Sequence, residues 1–345
     1  MEYRQLGRTG LKVSTLALGT VAWRTDMARG SGSHVAPTDA GRILDACLDA
    51  GINLVDTADV YGDGQSETLI GQVLGKRRPS VLLATKVRFS RSGGPNDAGL
   101  SRRQIITACE ASLKRLKTDW IDLYQVHGWD GLTPLEETLD ALNRLVEAGK
   151  VRYIGCSNYS GWHLMKSLWV ADRNGHRRFE SQQIHYTLFS REAEQELLPI
   201  GLDQGVGVLV WSPLATGLLS GKIDRSSADL NTWREPPAPD TNRLFRILDV
   251  VRAIATHHSA TVAQVAQAWL LNRRVVTSVI IGPRTFAECL DSIGSTALTL
   301  SAHECARLDD ASATPLGYPY WHQAATVADR LSVADLLLLS PHLSR

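Results

Sequence analysis

Residues 53–62, NLVDTADVYG, form a short apolar run that ends in Asp56 and is followed five residues later by Tyr61. Two further segments have the same build: LLATKV (82–87) carries Lys86 near its end, and IDLYQVHG (121–128) ends on His127. Runs that are apolar throughout read as strands covered on both faces. When several such strands each end in an ionisable group, the expected architecture is a (β/α)8 barrel, whose catalytic groups gather at the C-terminal face.

Outward from these three, five more strand-like runs appear: STLALGT (14–20), VRYIGCSN (151–158), SQQIHYT (181–187), VGVLVWSPL (206–214) and VVTSVIIG (275–282). The total of eight closes a barrel. Helix-like stretches alternate with them, at 39–51, 101–116, 135–149 and 261–273, as in a parallel α/β fold. Gly51 and Gly149 are expected to end two of these helices. The fold class is therefore α/β, a single-domain TIM barrel over residues 1–320 with a C-terminal tail over 321–345. Residues 224–243 form a polar, Pro-rich insertion placed to act as a lid. The tail is expected to supply a closing helix or, through the LLLL run at 336–339, a contact in a homo-oligomer.

A chain of 345 residues with 43% hydrophobic content and a net charge of +1 lacks the basic footprint that nucleic-acid binding requires. The expected partner is a small molecule. No basic start leads into an apolar core, and no run of about 18 apolar residues occurs, so no membrane association is expected and the cytoplasm is the expected location. The five scattered cysteines include no CxxC pair, so neither a disulfide framework nor a metal site is expected. GxGxxG after the first strand, HExxH and GxSxG are all absent, and GLLSGK (217–222) has the wrong spacing for a P-loop. The sequon at Asn158 falls at a strand end and is not expected to carry a glycan.

The four polar groups suit one kind of chemistry. A tyrosine is a poor acid at neutral pH, but a nearby ammonium stabilises its phenolate. Lys86 is placed to be that ammonium, Asp56 to hold it charged, and His127 to donate a hydrogen bond to a substrate oxygen. Such a set delivers a proton to a carbonyl oxygen. No side chain delivers hydride, so a redox cofactor is required. Asp59 and Asp122 are read as structural.

With these residues in order, the chain resembles the aldo-keto reductase superfamily across nearly all of residues 1–320. GINLVDTADVYGDGQSETLIGQVL (51–74) is similar to the family's first signature, and Asp56, Tyr61, Lys86 and His127 fall where its tetrad belongs. The resemblance implies a short N-terminal β-hairpin before the barrel. It also implies Tyr61 as general acid, tuned by Lys86 and Asp56, with His127 orienting the carbonyl. The implied cofactor is NADPH/NADP+, bound without a Rossmann motif. The implied contacts begin at Gly19, Thr20 and Asp56, with Ser157, Asn158 and Gln183 on the carboxamide and Trp211 stacked on the nicotinamide. Ser212, Pro213, Leu214, Gly217, Leu219, Gly221 and Lys222 would wrap the pyrophosphate. Gly282, Arg284, Glu288 and Ser292 would lie at the adenosine end, with Arg284 gripping a 2′-phosphate. Glu288 and Ser292 depart from the amide pair common there.

For the substrate, Trp23, Trp129, Tyr320 and Trp321 are expected to wall an aromatic pocket beside Tyr61 and His127, favouring bulky carbonyls or alcohols. Two other readings stand beside the reductase. One is a non-catalytic NADPH-binding regulatory subunit, as in the related channel β-subunit group. The other is a Schiff-base lyase with Lys86 as nucleophile, which requires a depressed lysine pKa.

Overall fold

A computed structural model describes residues 1–24, 35–91, 93–225 and 240–343. Strands β1 (Tyr3–Gln5) and β2 (Lys12–Ser14) pair antiparallel ahead of the barrel. The barrel strands are β3 (Leu16–Gly19), β4 (Leu54–Asp56), β5 (Leu82–Val87), β6 (Ile121–Val126), β7 (Val151–Ser157), β8 (Ser181–His185), β9 (Gly207–Trp211) and β10 (Val276–Ile281). They form one closed parallel ring, because β10 pairs with both β9 and β3. Each of the eight apolar runs holds one strand, so the (β/α)8 TIM barrel with its N-terminal hairpin is observed.

The helices outside the ring follow from local pattern. In Leu135–Glu147 the buried residues Leu135, Leu139, Leu142 and Leu145 recur at helical spacing and face the strands. In Arg102–Leu116 the start is fixed by Ser101, whose side chain accepts from the amide of Gln104. Gly51 and Gly149 follow the last turns of their helices with φ of +85° and +71°, the left-handed conformation that glycine adopts without a Cβ penalty.

Inside the ring lies a separate apolar layer. Ala17, Leu54, Ala84, Leu123, Leu209 and Ile280, one from each of six strands, meet Leu6 and Val13 from the hairpin segment. Leu6 is fully buried there, worth about 2 kcal/mol as a transferred side chain. This plug closes the barrel floor, leaving the opposite end for polar groups. Gly155 on β7 is required by crowding, because a Cβ at that position would meet Ser181 Oγ at 2.4 Å.

Two expectations at the periphery change. In the tail, helix Val333–Leu339 packs on helix Leu197–Gln204, and Leu338 and Leu339 are buried there. Only Leu336 and Leu337 of the LLLL run remain exposed, so half of the supposed oligomer patch is used within the chain. The expected lid falls largely on residues 226–239, outside the described residues. Among the described residues no helix is long and apolar enough to cross a membrane.

Candidate active site

Strand periodicity carries the chemistry upward from the apolar floor. Alternate residues of a strand share a face, so Leu54 is followed inward by Asp56, Ala84 by Lys86, and Leu123 by Gln125 and then His127. The parallel register sets Asp56 beside Ala84 and Lys86 beside Gln125.

Lys86 is the hub. Its fully buried Nζ donates to Asp56 Oδ1 at 2.5 Å, to the Thr57 carbonyl at 2.8 Å and to the Tyr61 hydroxyl at 3.3 Å. All three ammonium protons are therefore engaged. The other carboxylate oxygen, Asp56 Oδ2, accepts from Gln125 Nε2 at 3.1 Å and Gln183 Nε2 at 2.9 Å. Burial alone would lower the Lys86 pKa, but Asp56 and Tyr61 together outweigh it and the net shift is upward. A protonated lysine with no free donor position is a poor nucleophile, which argues against Schiff-base chemistry.

Tyr61 opens a one-turn segment, Tyr61–Gly64, in which three residues with positive φ fold the chain back towards helix Gln65–Leu74. Its pKa is raised, chiefly by burial. The Lys86 charge pulls it down, as expected from the sequence, without overcoming that effect. The resting phenol therefore holds its proton firmly. His127 meets the Tyr61 ring edge-on with centroids 5.7 Å apart, and Phe89 edge-on at 4.9 Å. Burial first, and Lys86 second, push the imidazole down to about 2, so it is neutral. Its Nδ1 is buried with no partner among the described residues.

The expected cofactor residues divide into three groups. Ser157, Asn158, Gln183 and Trp211 converge at neighbouring strand ends. Asn158 bridges the His127 carbonyl and the Trp211 indole, at 3.1 Å each. One face of Trp211 stacks on His185 at 4.4 Å, while the ring remains half-buried. Ser157 Oγ donates to the Gln183 carbonyl at 3.0 Å. Gln183 Oε1 has no protein partner among the described residues, so it is available to accept from a carboxamide. Thr20 is buried with its hydroxyl donating to the Asp56 carbonyl, and Gly19 pairs in register with Asp56.

The second group, Ser212 to Lys222, is folded on itself. The amides of Ala215, Gly217, Leu218, Leu219 and Ser220 donate to carbonyls within the loop, and Pro213 and Leu219 are buried. A loop that wraps a pyrophosphate with these amides would have to open.

At the adenosine end, Gly282 is open, with nothing within 4 Å of a Cβ built there. Arg284 is not free: its Nη2 donates to Glu288 Oε1 at 2.8 Å, and Lys222 Nζ reaches the same oxygen at 3.3 Å. The Glu288 carboxylate thus sits where two cations converge. Its burial raises its pKa, but the bonds from Arg284 and Lys222 prevail and hold it at about 2. Ser292 is buried and accepts from Gln267 Nε2 at 3.2 Å, so its hydroxyl is turned into a helix contact. Taken together, the open carboxamide acceptor, the half-covered indole and the paired cations fit a nicotinamide dinucleotide.

The expected aromatic pocket is only partly assembled. Trp23 is fully buried in the main core and is not an open wall. Trp129 stacks on His163 at 4.0 Å and meets Tyr159 edge-on. Tyr320 and Trp321 are drawn elsewhere. Tyr320 bonds Glu196 beside helix Leu197–Gln204, and Trp321 packs its ring on Tyr318 and His322. Both belong to the tail, whose helix Val333–Leu339 docks on the outer helix Leu197–Gln204. The residues that sequence reasoning missed are Gln125, Phe89 and His185. Gln125 was recoverable, since it is two residues before His127 and therefore on the same strand face.

A model of the aldo/keto reductase family matches residues 15–313. An uncharacterised oxidoreductase of Bacillus subtilis, YrpG, is 40% identical over 92% of this chain and 98% of its own length. A probable voltage-gated potassium channel subunit beta of Arabidopsis thaliana is 37% identical over 82% of this chain and 87% of its own. A versiconal hemiacetal acetate reductase of Aspergillus parasiticus is 34% identical over 90% and 96%. Members of the family generally use nicotinamide cofactors. The match spans all eight strands of the barrel and leaves out the N-terminal hairpin, and with relatives this similar along most of their length the chain belongs to the aldo/keto reductase family.

Proposed function

We propose that this protein is an NADP(H)-dependent oxidoreductase that reduces aldehydes or ketones to alcohols, or oxidises a secondary alcohol in reverse, with Tyr61 as general acid or base. The coarser part, a generic carbonyl reductase, follows from the family and its reductase relatives. The observation that carries the finer part is the buried chain Asp56, Lys86, Tyr61, in which a fixed ammonium touches the phenol that must lose and regain a proton.

When bound, the reduced nicotinamide supplies the hydride. Tyr61 supplies the proton from its hydroxyl, and Lys86 stabilises the oxygen left behind. Asp56, fixed by Gln125 and Gln183, keeps Lys86 in place and charged. Neutral His127 donates one N–H towards the substrate oxygen without competing as an acid. Trp211, Ser157, Asn158 and Gln183 would hold the nicotinamide ring and its carboxamide. Arg284 and Lys222 favour a 2′-phosphate, which supports NADPH over NADH. The substrate is a small carbonyl compound or alcohol with an apolar body, received beside Phe89, and the expected location is the cytoplasm.

The experiment follows oxidation of NADPH and NADH by absorbance with a panel of aromatic and aliphatic aldehydes and ketones. Turnover with NADPH supports the reductase. The Arabidopsis relative favours a second reading, a regulatory NADPH-binding subunit. Tight NADPH binding without turnover on any carbonyl would support that reading instead.

A further inference from the structure

Outside the strand ring, helix Thr241–His258 ends against the first turn of helix Ala302–Ser312, and three ligand-bearing side chains meet there. Glu304 Oε1 lies 2.8 Å from His258 Nε2 and 3.3 Å from His257 Nδ1, and the three ligand atoms all fall within 4.8 Å of one another. From this convergence we infer that His257, His258 and Glu304 form a binding site for a borderline divalent transition metal such as Zn2+ or Ni2+.

Three features support it. The donor set, two imidazoles and one carboxylate, is that of zinc and its neighbours, whereas Ca2+ and Mg2+ take oxygen ligands alone. With metal–ligand bonds of about 2.0–2.2 Å, ligand atoms on one ion sit roughly 3–4 Å apart, so an entering ion would replace the 2.8 Å His258–Glu304 hydrogen bond, with a small opening of that pair and a rotation of the exposed His257 ring. Glu304 is also pre-oriented. Its Oε2 accepts from the Ser301 amide and hydroxyl, both at 2.8 Å, which aims Oε1 at the histidines.

There is room for the remaining coordination positions. A cavity of about 480 Å³ opens beside the three residues, so the remaining positions fall to water. Arg307 lines the same cavity but is exposed. None of these residues belongs to a barrel strand or to the tetrad, so the site and the reductase reading stand or fall separately.

The test uses the full chain without a polyhistidine tag, stripped with chelator, and titrated with Zn2+ by calorimetry while melting is followed in parallel. The expected result is one Zn2+ per chain with a rise in Tm that chelator reverses, and no such rise with Mg2+. His258→Ala should weaken binding by at least about tenfold. Glu304→Gln retains an acceptor for the Ser301 cap, so it should fold normally and show the same loss. Absence of stoichiometric binding by the wild-type chain, or unchanged Zn2+ affinity in both variants, would overturn the assignment.

Discussion

Lys86 Nζ and Asp56 Oδ1 lie 2.5 Å apart with neither side chain more than 4% exposed. A buried ion pair of this kind is costly to form and costlier to break, because removing one partner strands the other charge. Lys86→Met should therefore lower stability by about 3–5 kcal/mol and abolish turnover. Adding Asp56→Asn to it should restore much of the stability, since no buried charge remains, while activity stays lost. Denaturant melts of the single and double variants check this. A double variant no more stable than Lys86→Met would show that the pair is not the stabilising unit.

Glu288 sits between Arg284 and Lys222, and under the proposed NADP(H) reading it competes with a 2′-phosphate for these two cations. Glu288→Gln removes the competing anion and keeps a hydrogen-bonding group. NADPH affinity should improve by roughly tenfold, about the worth of one screened charge interaction, with NADH unchanged. Fluorescence titration with both cofactors measures it, and equal gains for the two would place the 2′-phosphate elsewhere.

Asp59 is 1% exposed and, among the described residues, neither carboxylate oxygen has a side-chain partner. Burial foremost, and then Glu67, push its pKa up to about 7. Because the folded-state value is raised, the folded chain binds this proton more tightly, so its contribution to stability is present below about pH 4 and is lost as pH rises to 7. Asp59→Asn should flatten that slope and raise Tm at pH 8, with a ceiling of about 4 kcal/mol. Thermal melts between pH 4 and 8 of both proteins provide the comparison, and parallel slopes would contradict the assignment.

His127 shifts the other way. Its depressed pKa means that stability is present above the unfolded value near 6.5 and is lost as pH falls through it towards 2. The ring should therefore remain neutral between pH 5 and 8, seen by NMR as imidazole 15N shifts that do not titrate. A midpoint near 6.5 would mean that the group is hydrated and free of Lys86.

The strands and the tetrad were legible because both follow from short-range pattern. Continuous apolar runs mark doubly covered strands, and the polar residue at each strand end is in phase with the buried residue two positions before it, as Lys86 is with Ala84. The Arg284 and Glu288 pair is also local, an i,i+4 contact on one helix end, but it was not read from the sequence, where Arg284 is placed on a 2′-phosphate. What could not be read depended on packing between distant segments. Tyr320 reaches Glu196 at the start of helix Leu197–Gln204, more than 100 residues away in sequence, Trp321 packs within the tail, and Ser292 turns to Gln267 across a helix contact. Trp23 joins the core for the same kind of reason. The sign of the Tyr61 shift also needed the structure, since it balances burial against the Lys86 charge.

The decisive measurement is Tyr61→Phe, assayed for carbonyl-dependent NADPH oxidation beside NADPH binding by fluorescence. Loss of the hydroxyl should cut kcat by about 100- to 10,000-fold, the usual worth of a general acid, with cofactor affinity and Tm nearly unchanged. A variant that turns over at the wild-type rate would show that the proton comes from another group, and the chain Asp56, Lys86, Tyr61 would not be the catalytic machinery.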